Sequence, residues 1–255
     1  MKNGQQRSFD PIIDDYAFFE VHSTEGEMGL RAYAAHLGAV EGANERIRML
    51  DFGSGTGSFS QSFLQQAGWP PVNLELTLVE PGEVARKKAA ERLSPFSAYS
   101  IEHAAGLPEG KQGEFSLILA NHSLYYVPDL AQTAAHLYRM LRPGGKLLAA
   151  MAGKENVLIQ CWAVGFELLG QSIPYYTGDG LRAVLEHAGM AYQEEKVFYS
   201  ITFPDATANR MRILRFLFGP RLSSIPLAPL LAFFDPYAKA GAVHIETEHL
   251  LYAVG

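Results

Sequence analysis

The stretch LDFGSGTGSFS, residues 50–60, restricts the fold more than any other part of the chain. An apolar run, RIRMLDF at 46–52, gives way to glycines at alternate positions, Gly53, Gly55 and Gly57. A helical pattern follows and closes at Gly68. Glycines after a buried strand serve two needs. The turn requires backbone angles that a Cβ obstructs, and a ligand must come close to the main chain. A tight strand-to-helix turn with no ligand is the plainer reading. The spacing is G-x-G-x-G, not G-x-G-x-x-G, so it does not by itself specify a dinucleotide.

The rest of the chain repeats the alternation. Apolar β-rich runs at 74–80, 98–103, 115–121 and 146–152 are interleaved with helical patterns at 82–93 and 129–141, the latter stopped by RPGG. This predicts a parallel sheet covered by helices. A helical hairpin is expected over 157–189. A strand pair, 195–203 and 247–254, is expected to flank a Pro- and Phe-rich, mostly helical stretch at 204–242. The predicted organisation is one domain. Residues 1–45 form a helical extension that lids the substrate, 46–203 and 243–255 the core, and 204–242 an insertion.

Hydrophobic residues are 48% of the 255, enough for a sizeable core, and the formal net charge of -6 argues against a nucleic-acid partner. Cys161 is the only cysteine, so there is no internal disulfide and no cysteine zinc site. MKNGQQRSFD lacks the apolar run of a signal peptide, and no apolar stretch approaches the ~18 residues of a membrane span. These features predict a cytoplasmic protein with no membrane partner, a monomer or weak homodimer.

Glu80 ends the second predicted strand, 23 residues after Gly57. A carboxylate there can accept both hydrogens of a ribose diol. That feature alone also suits a nicotinamide dehydrogenase, or an acid simply solvated by water.

Four segments in order, LDFGSGTG, LVEP, FSLILANHSLYYVPD and MLRPGGKLL, resemble the class I S-adenosylmethionine-dependent methyltransferases over about residues 45–152. The resemblance implies an α/β, Rossmann-like, doubly wound sheet of seven strands. It would be mostly parallel with a reversed last strand and helices on both faces. It implies S-adenosyl-L-methionine as cofactor, S-adenosyl-L-homocysteine as product, and no metal. By it, Asp51, Gly53, Ser54, Gly55 and Gly57 lie at the methionine part, Glu80 and Pro81 at the ribose, and Asn121 beside the methyl group. The adenine edge falls near His103 and Ala104, where many relatives carry an Asp that this chain lacks.

The flanks YAFFEVHSTEGEMGL, SLYYVPDL, YYTGDGLRAVLEHAGMAY and GAVHIETEHLLYAV resemble the histamine N-methyltransferases. That resemblance implies a small-molecule substrate held by Glu25. Tyr16, Phe19, Tyr125, Tyr126 and Trp162 would be its aromatic walls. His122 replaces a glutamine and Thr247 an asparagine at two further substrate positions. Those departures point to a small amine or heteroaromatic other than histamine.

Elementary chemistry fits this picture. Methyl transfer from a sulfonium depends on in-line placement of a lone pair. An aromatic box suits a cation, and a carboxylate at its rim holds charge or an N–H. His122 is the natural base or orienter for the attacking nitrogen. Each residue also has a structural alternative. Tyr16 and Phe19, at i and i+3, could pack a helix onto the core. Glu25 could belong to a capping box after Ser23 or Thr24. His122 could bond the backbone at a strand end. In HIETEH, a strand puts His244, Glu246 and Glu248 on one face and His249 on the other, so no metal set is expected. RMRILRFLFGPR, 210–221, reads as a helix packed over the pocket. The rival functions are an O-methyltransferase acting on a hydroxyl or carboxylate, and a non-catalytic module that binds S-adenosylmethionine.

Overall fold

Residues 12–39 and 46–255 are described by the computed structural model. MKNGQQRSFD, read above for signal features, and the outer parts of the 1–45 extension lie outside the described residues. Strands are β1 Ile47–Phe52, β2 Leu74–Val79, β3 Glu102–Ala104, β4 Phe115–Asn121, β5 Leu141–Met151, β6 Tyr192–Pro204, β7 Ala238–Lys239 and β8 Ala242–Val254. Helices are α1 Ile13–His22, α2 Glu25–Ala34, α3 Ser58–Ala67, α4 Glu83–Leu93, α5 Leu130–Met140, α6 Val157–Glu167, α7 Gly178–His187, α8 Thr207–Phe218 and α9 Leu227–Ala232. None is long and apolar enough to cross a membrane.

The strands form one sheet in the order β3-β2-β1-β4-β5-β8-β6, with β7 paired to β8. β1 to β5 are mutually parallel, and β8 runs antiparallel to both β5 and β6. The apolar runs are continuous because both faces are covered. Along β5, Leu147, Ala149 and Met151 join the core under α5 to α8. Leu148 and Ala150 join the opposite core with α2, α3 and α4. The strand order reverses between β1 and β4, so the crevice outside their carboxyl ends is the natural ligand position.

Three expectations are corrected. The third strand is only three residues long. The preceding segment is held as a turn by Ser97, whose hydroxyl accepts the Tyr99 N–H at 3.1 Å and donates to Leu74 O at 2.6 Å. β5 begins at Leu141 instead of Lys146: RPGG lies inside the strand, as an irregularity opposite Phe115 to Leu117. Gly145 is required there, because a Cβ would sit 2.6 Å from Phe115 O. Finally, the sheet has an eighth member, the two-residue β7, which folds back on β8 at the end of the insertion.

The stretch VHSTEGE joins α1 to α2 and is tied to the sheet. Ser23 bridges Ile201, Thr24 N–H donates to Ser200 O at 2.9 Å, and the Ser200 N–H donates to Thr24 Oγ1 at 2.9 Å. No side-chain cap bond starts α2; the Ser23 hydroxyl accepts the Glu25 N–H at 3.1 Å. The capping-box reading is therefore replaced by a docking role: this junction fixes the first turn of α2 against β6.

Candidate functional site

At the end of β1 the chain turns through Gly53, Gly55 and Gly57, all with positive φ. The reasons differ. A Cβ on Gly53 would meet Ser123 Cβ at 2.3 Å, and one on Gly57 would lie 3.1 Å from the α4 backbone at Ala89. A Cβ on Gly55 would meet nothing within 4 Å. The middle glycine therefore leaves an open cradle on the crevice side. Glu80 follows β2 and closes the loop: its carboxylate accepts the Gly55 N–H at 3.0 Å and the Gly82 N–H at 2.8 Å. The Ser54 and Ser123 hydroxyls are buried there without a partner among the described residues. An open cradle, a rim carboxylate with further lone pairs and two unsatisfied hydroxyls fit an adenosyl cofactor.

Asp51 lies at the base of this loop. Its carboxylate faces inward, buried against the Ser60 hydroxyl. Burial raises its pKa to about 7; the Glu80 charge adds to the rise, and the Ser60 hydrogen bond opposes it. Asp51 thus underpins the loop. Pro81 O accepts from Arg86 at 3.1 Å, and Ala104 O accepts the Glu80 N–H at 3.0 Å. His103 is exposed on the edge strand beside that contact.

At the end of β4, Asn121 Oδ1 accepts from the buried Tyr33 hydroxyl at 3.2 Å. His122 follows with φ 51, the left-handed region that a non-glycine residue rarely adopts. This turn sends its ring off the strand end into the crevice. Its Nδ1 lies 2.9 Å from the Tyr125 hydroxyl, which also accepts the Ala152 N–H. Its Nε2 lies 3.6 Å from Glu25 Oε1. His249, on β8 and 1% exposed, presents Nδ1 at 4.0 Å from the same oxygen. The two imidazoles meet edge to face, with centroids 4.8 Å apart. Burial, then the neighbouring His122, holds His249 well below the usual histidine range, so it is neutral.

Aromatic rings contact this cluster: Tyr125 stacks on His122 with centroids 6.1 Å apart, and Tyr199 lies 5.7 Å from His249. Tyr125 packs against Tyr126 at 5.7 Å and meets Trp162 at 6.0 Å; Tyr126 meets Tyr175 at 5.0 Å. Phe19 stacks on Phe216 at 4.6 Å, and Tyr16 leans on the same ring at 5.7 Å. The Thr247 hydroxyl accepts the Val157 N–H at 2.9 Å and so secures the start of α6. Trp162 donates its indole N–H to Leu217 O at 2.9 Å and forms a wall behind Tyr125.

Sequence reasoning missed His249, Tyr199, Tyr175 and Phe216. The face assignment of His249 in HIETEH was right, and that other face is where Glu25 and His122 converge. Tyr175 stood in the quoted YYTGDG and could have joined the aromatic set.

Residues 28–195 match a family model described as a methyltransferase domain. The chain is similar to the highly reducing polyketide synthase NEC1 of Pyricularia oryzae, 26% identical over 285 residues, covering 96% of this chain and 10% of that protein. It therefore spans only a tenth of that curated relative's length. Among solved structures, the YcgJ protein of Bacillus subtilis superposes with TM-score 0.58 at 13% identity, over 88% of this chain and 98% of that one. A Thermotoga maritima S-adenosylmethionine-dependent methyltransferase, described as a "possible histamine N-methyltransferase", gives TM-score 0.50 at 18% identity over 96% of each chain.

Proposed function

We propose that the chain, which belongs to the methyltransferase domain family, is an S-adenosylmethionine-dependent enzyme that methylates a nitrogen of a small amine or heteroaromatic molecule seated against Glu25. The observation that carries this reading is the Glu25 carboxylate, which a β-bridge and the first turn of α2 deliver to within 3.6 Å of His122 Nε2 inside a wall of rings.

When bound, S-adenosylmethionine supplies an electrophilic methyl group on a sulfonium sulfur. The glycine loop and Glu80 hold its methionine and sugar parts. His103 and Ala104 border the base, and Asn121 borders the reacting end. Glu25 attracts a cationic or N–H-bearing acceptor; a charge-assisted hydrogen bond of this kind is roughly twice as strong as a neutral one. Tyr125 fixes the His122 ring through Nδ1, and in the tautomer whose Nδ1–H donates to the Tyr125 oxygen, Nε2 takes the acceptor's proton. Tyr16, Phe19, Tyr126 and Trp162 exclude water and favour a cation through their ring faces, about 0.5–2 kcal/mol per contact.

Replacing Glu25 by Gln tests the reading with a panel of small amines and hydroxyl or carboxylate compounds. Amine turnover is expected to fall by about two orders of magnitude while S-adenosylhomocysteine binding is kept, as loss of a buried charge partner implies. Unchanged or improved turnover of a carboxylate or hydroxyl compound would replace the nitrogen acceptor by an oxygen one. No methylated product from any compound, with cofactor still bound, would leave a binding module.

A further inference from the structure

We propose that Glu25, His122 and His249 form a binding site for one divalent transition-metal ion, of the zinc or cobalt type, at the acceptor end of the crevice. The proposal deepens the reading above and rests on it only for where the acceptor lies.

The three groups come from the first turn of α2, the turn after β4 and the middle of β8, so the fold, not local sequence, brings them together. Each offers one ligand atom, and these atoms all lie within 4.8 Å of one another. A point equidistant from three such atoms is about 2.5 Å from each. Small side-chain rotations would bring it to the ~2.0–2.2 Å of zinc–nitrogen and zinc–oxygen bonds.

The nitrogens also lack other engagements. His122 Nε2 and both nitrogens of His249 are buried without a hydrogen-bond partner among the described residues. Leaving a buried polar group unpaired costs about 1–3 kcal/mol, so native structures seldom keep one without a reason. Here the unpaired groups converge on a carboxylate. An ion would satisfy Nε2 of His122 and one nitrogen of His249 together.

The surroundings resemble the outer shell that orients metal ligands. The Tyr125 hydroxyl engages His122 Nδ1 at 2.9 Å. The Tyr199 ring lies 5.7 Å from that of His249, and Asn156 donates to the Tyr199 hydroxyl at 2.9 Å. Two imidazoles and one carboxylate favour borderline ions over magnesium or calcium, which prefer all-oxygen sets. Three protein ligands leave a coordination position open for an acceptor.

The consequence is chemical. A heteroaromatic acceptor ligating the ion through one ring nitrogen loses the proton of its other N–H to solvent more readily, because the cation stabilises the conjugate base, and that second nitrogen keeps the lone pair that attacks the methyl group. The ion then takes over the function His122 has in a metal-free pocket, since Nε2 cannot both ligate and accept a proton.

The test is titration of chelator-treated protein with Co²⁺, followed by absorption spectroscopy and then by displacement with Zn²⁺. A saturable visible d–d spectrum at one ion per chain, bleached by Zn²⁺, is expected. His249→Gln and Glu25→Gln should each weaken Co²⁺ binding by about tenfold or more, the scale on which even outer-shell changes act. S-adenosylhomocysteine affinity, the check on folding, should hold. Should His249→Gln fail that check, Glu25→Gln, at a partly exposed helix start, carries the comparison. No Co²⁺ spectrum in the unaltered protein, or binding equally tight in a folded variant, overturns the site. The spectrum needs no turnover, so failure of the metal site and failure of the nitrogen-acceptor reading are separately visible.

Discussion

On the cofactor side of the crevice, the Glu80 carboxylate is held by the chain's own backbone, through Gly55 and Gly82 N–H groups. On the acceptor side, Glu25 faces two imidazoles whose converging nitrogens have no hydrogen bond among the described residues. In the first region the backbone of the loop itself holds the carboxylate in place. The second gathers one ligand atom each from Glu25, His122 and His249, on three distant elements. The contrast shows two ways to prepare a site. One preorganises main chain around a common cofactor, and the other assembles side chains from distant elements for a particular acceptor.

Substitutions at the glycines should sharpen this contrast most. Gly53→Ala combines left-handed strain with a clash at Ser123, and is expected to cost about 2–5 kcal/mol of stability in chemical denaturation. Gly55→Ala meets no atom within 4 Å, so only the strain remains, about 1–2 kcal/mol. Its Cβ enters the cradle, and calorimetry should show weaker S-adenosylhomocysteine binding. Equal stability losses in the two variants would break the distinction between a packed and an open glycine.

Glu80→Gln removes the charge at the rim and one of two acceptor oxygens. S-adenosylhomocysteine affinity is expected to fall by about tenfold, near 1.4 kcal/mol, on the scale of a charged hydrogen bond. Co²⁺ binding at the acceptor end should not change. A loss at both ends would mean that the halves are coupled, not separately built.

Asp51 supplies a pH signature for the cofactor side alone. Its folded pKa, about 7, is raised above the unfolded carboxylate value. The folded state therefore binds the extra proton, and the stabilisation is full below about pH 4 and disappears as pH rises through about 7. Asp51→Asn should flatten the stability profile across that window in denaturant melts at stepped pH. A parallel decline in both proteins would assign the pH dependence to other groups.

The smallest effect is expected at Thr247. Thr247→Val leaves the Val157 N–H at the start of α6 without its partner, for a loss of about 1 kcal/mol. Turnover should be preserved if the hydroxyl is structural. A large loss of turnover with intact stability would return Thr247 to the acceptor site.

Legibility followed the same division. The strand-glycine-helix unit and Glu80 could be read from local spacing, because they lie within about thirty residues of continuous chain. Strand limits were less legible where side-chain turns intervened, as at Ser97, or where glycines let a strand run through a bend, as at Gly145. Glu25 and His122 were placed near the acceptor through resemblance, and the structure brings them together with a group the sequence reading had set aside. His249 belongs to the reversed strand, and which face of that strand meets the crevice depends on its antiparallel register with β5 and β6.

By itself the sequence determined the alternation of strand and helix, the glycine turn and the acid after the second strand, because each is enforced by φ/ψ sterics and by apolar burial over a few neighbouring residues. The tertiary structure alone decided that Asp51 turns inward, that Thr247 secures a helix, and that a carboxylate and two imidazoles share one space. Those outcomes depend on how distant segments stack across the sheet. That stacking is set by long-range packing and register, which no local pattern encodes.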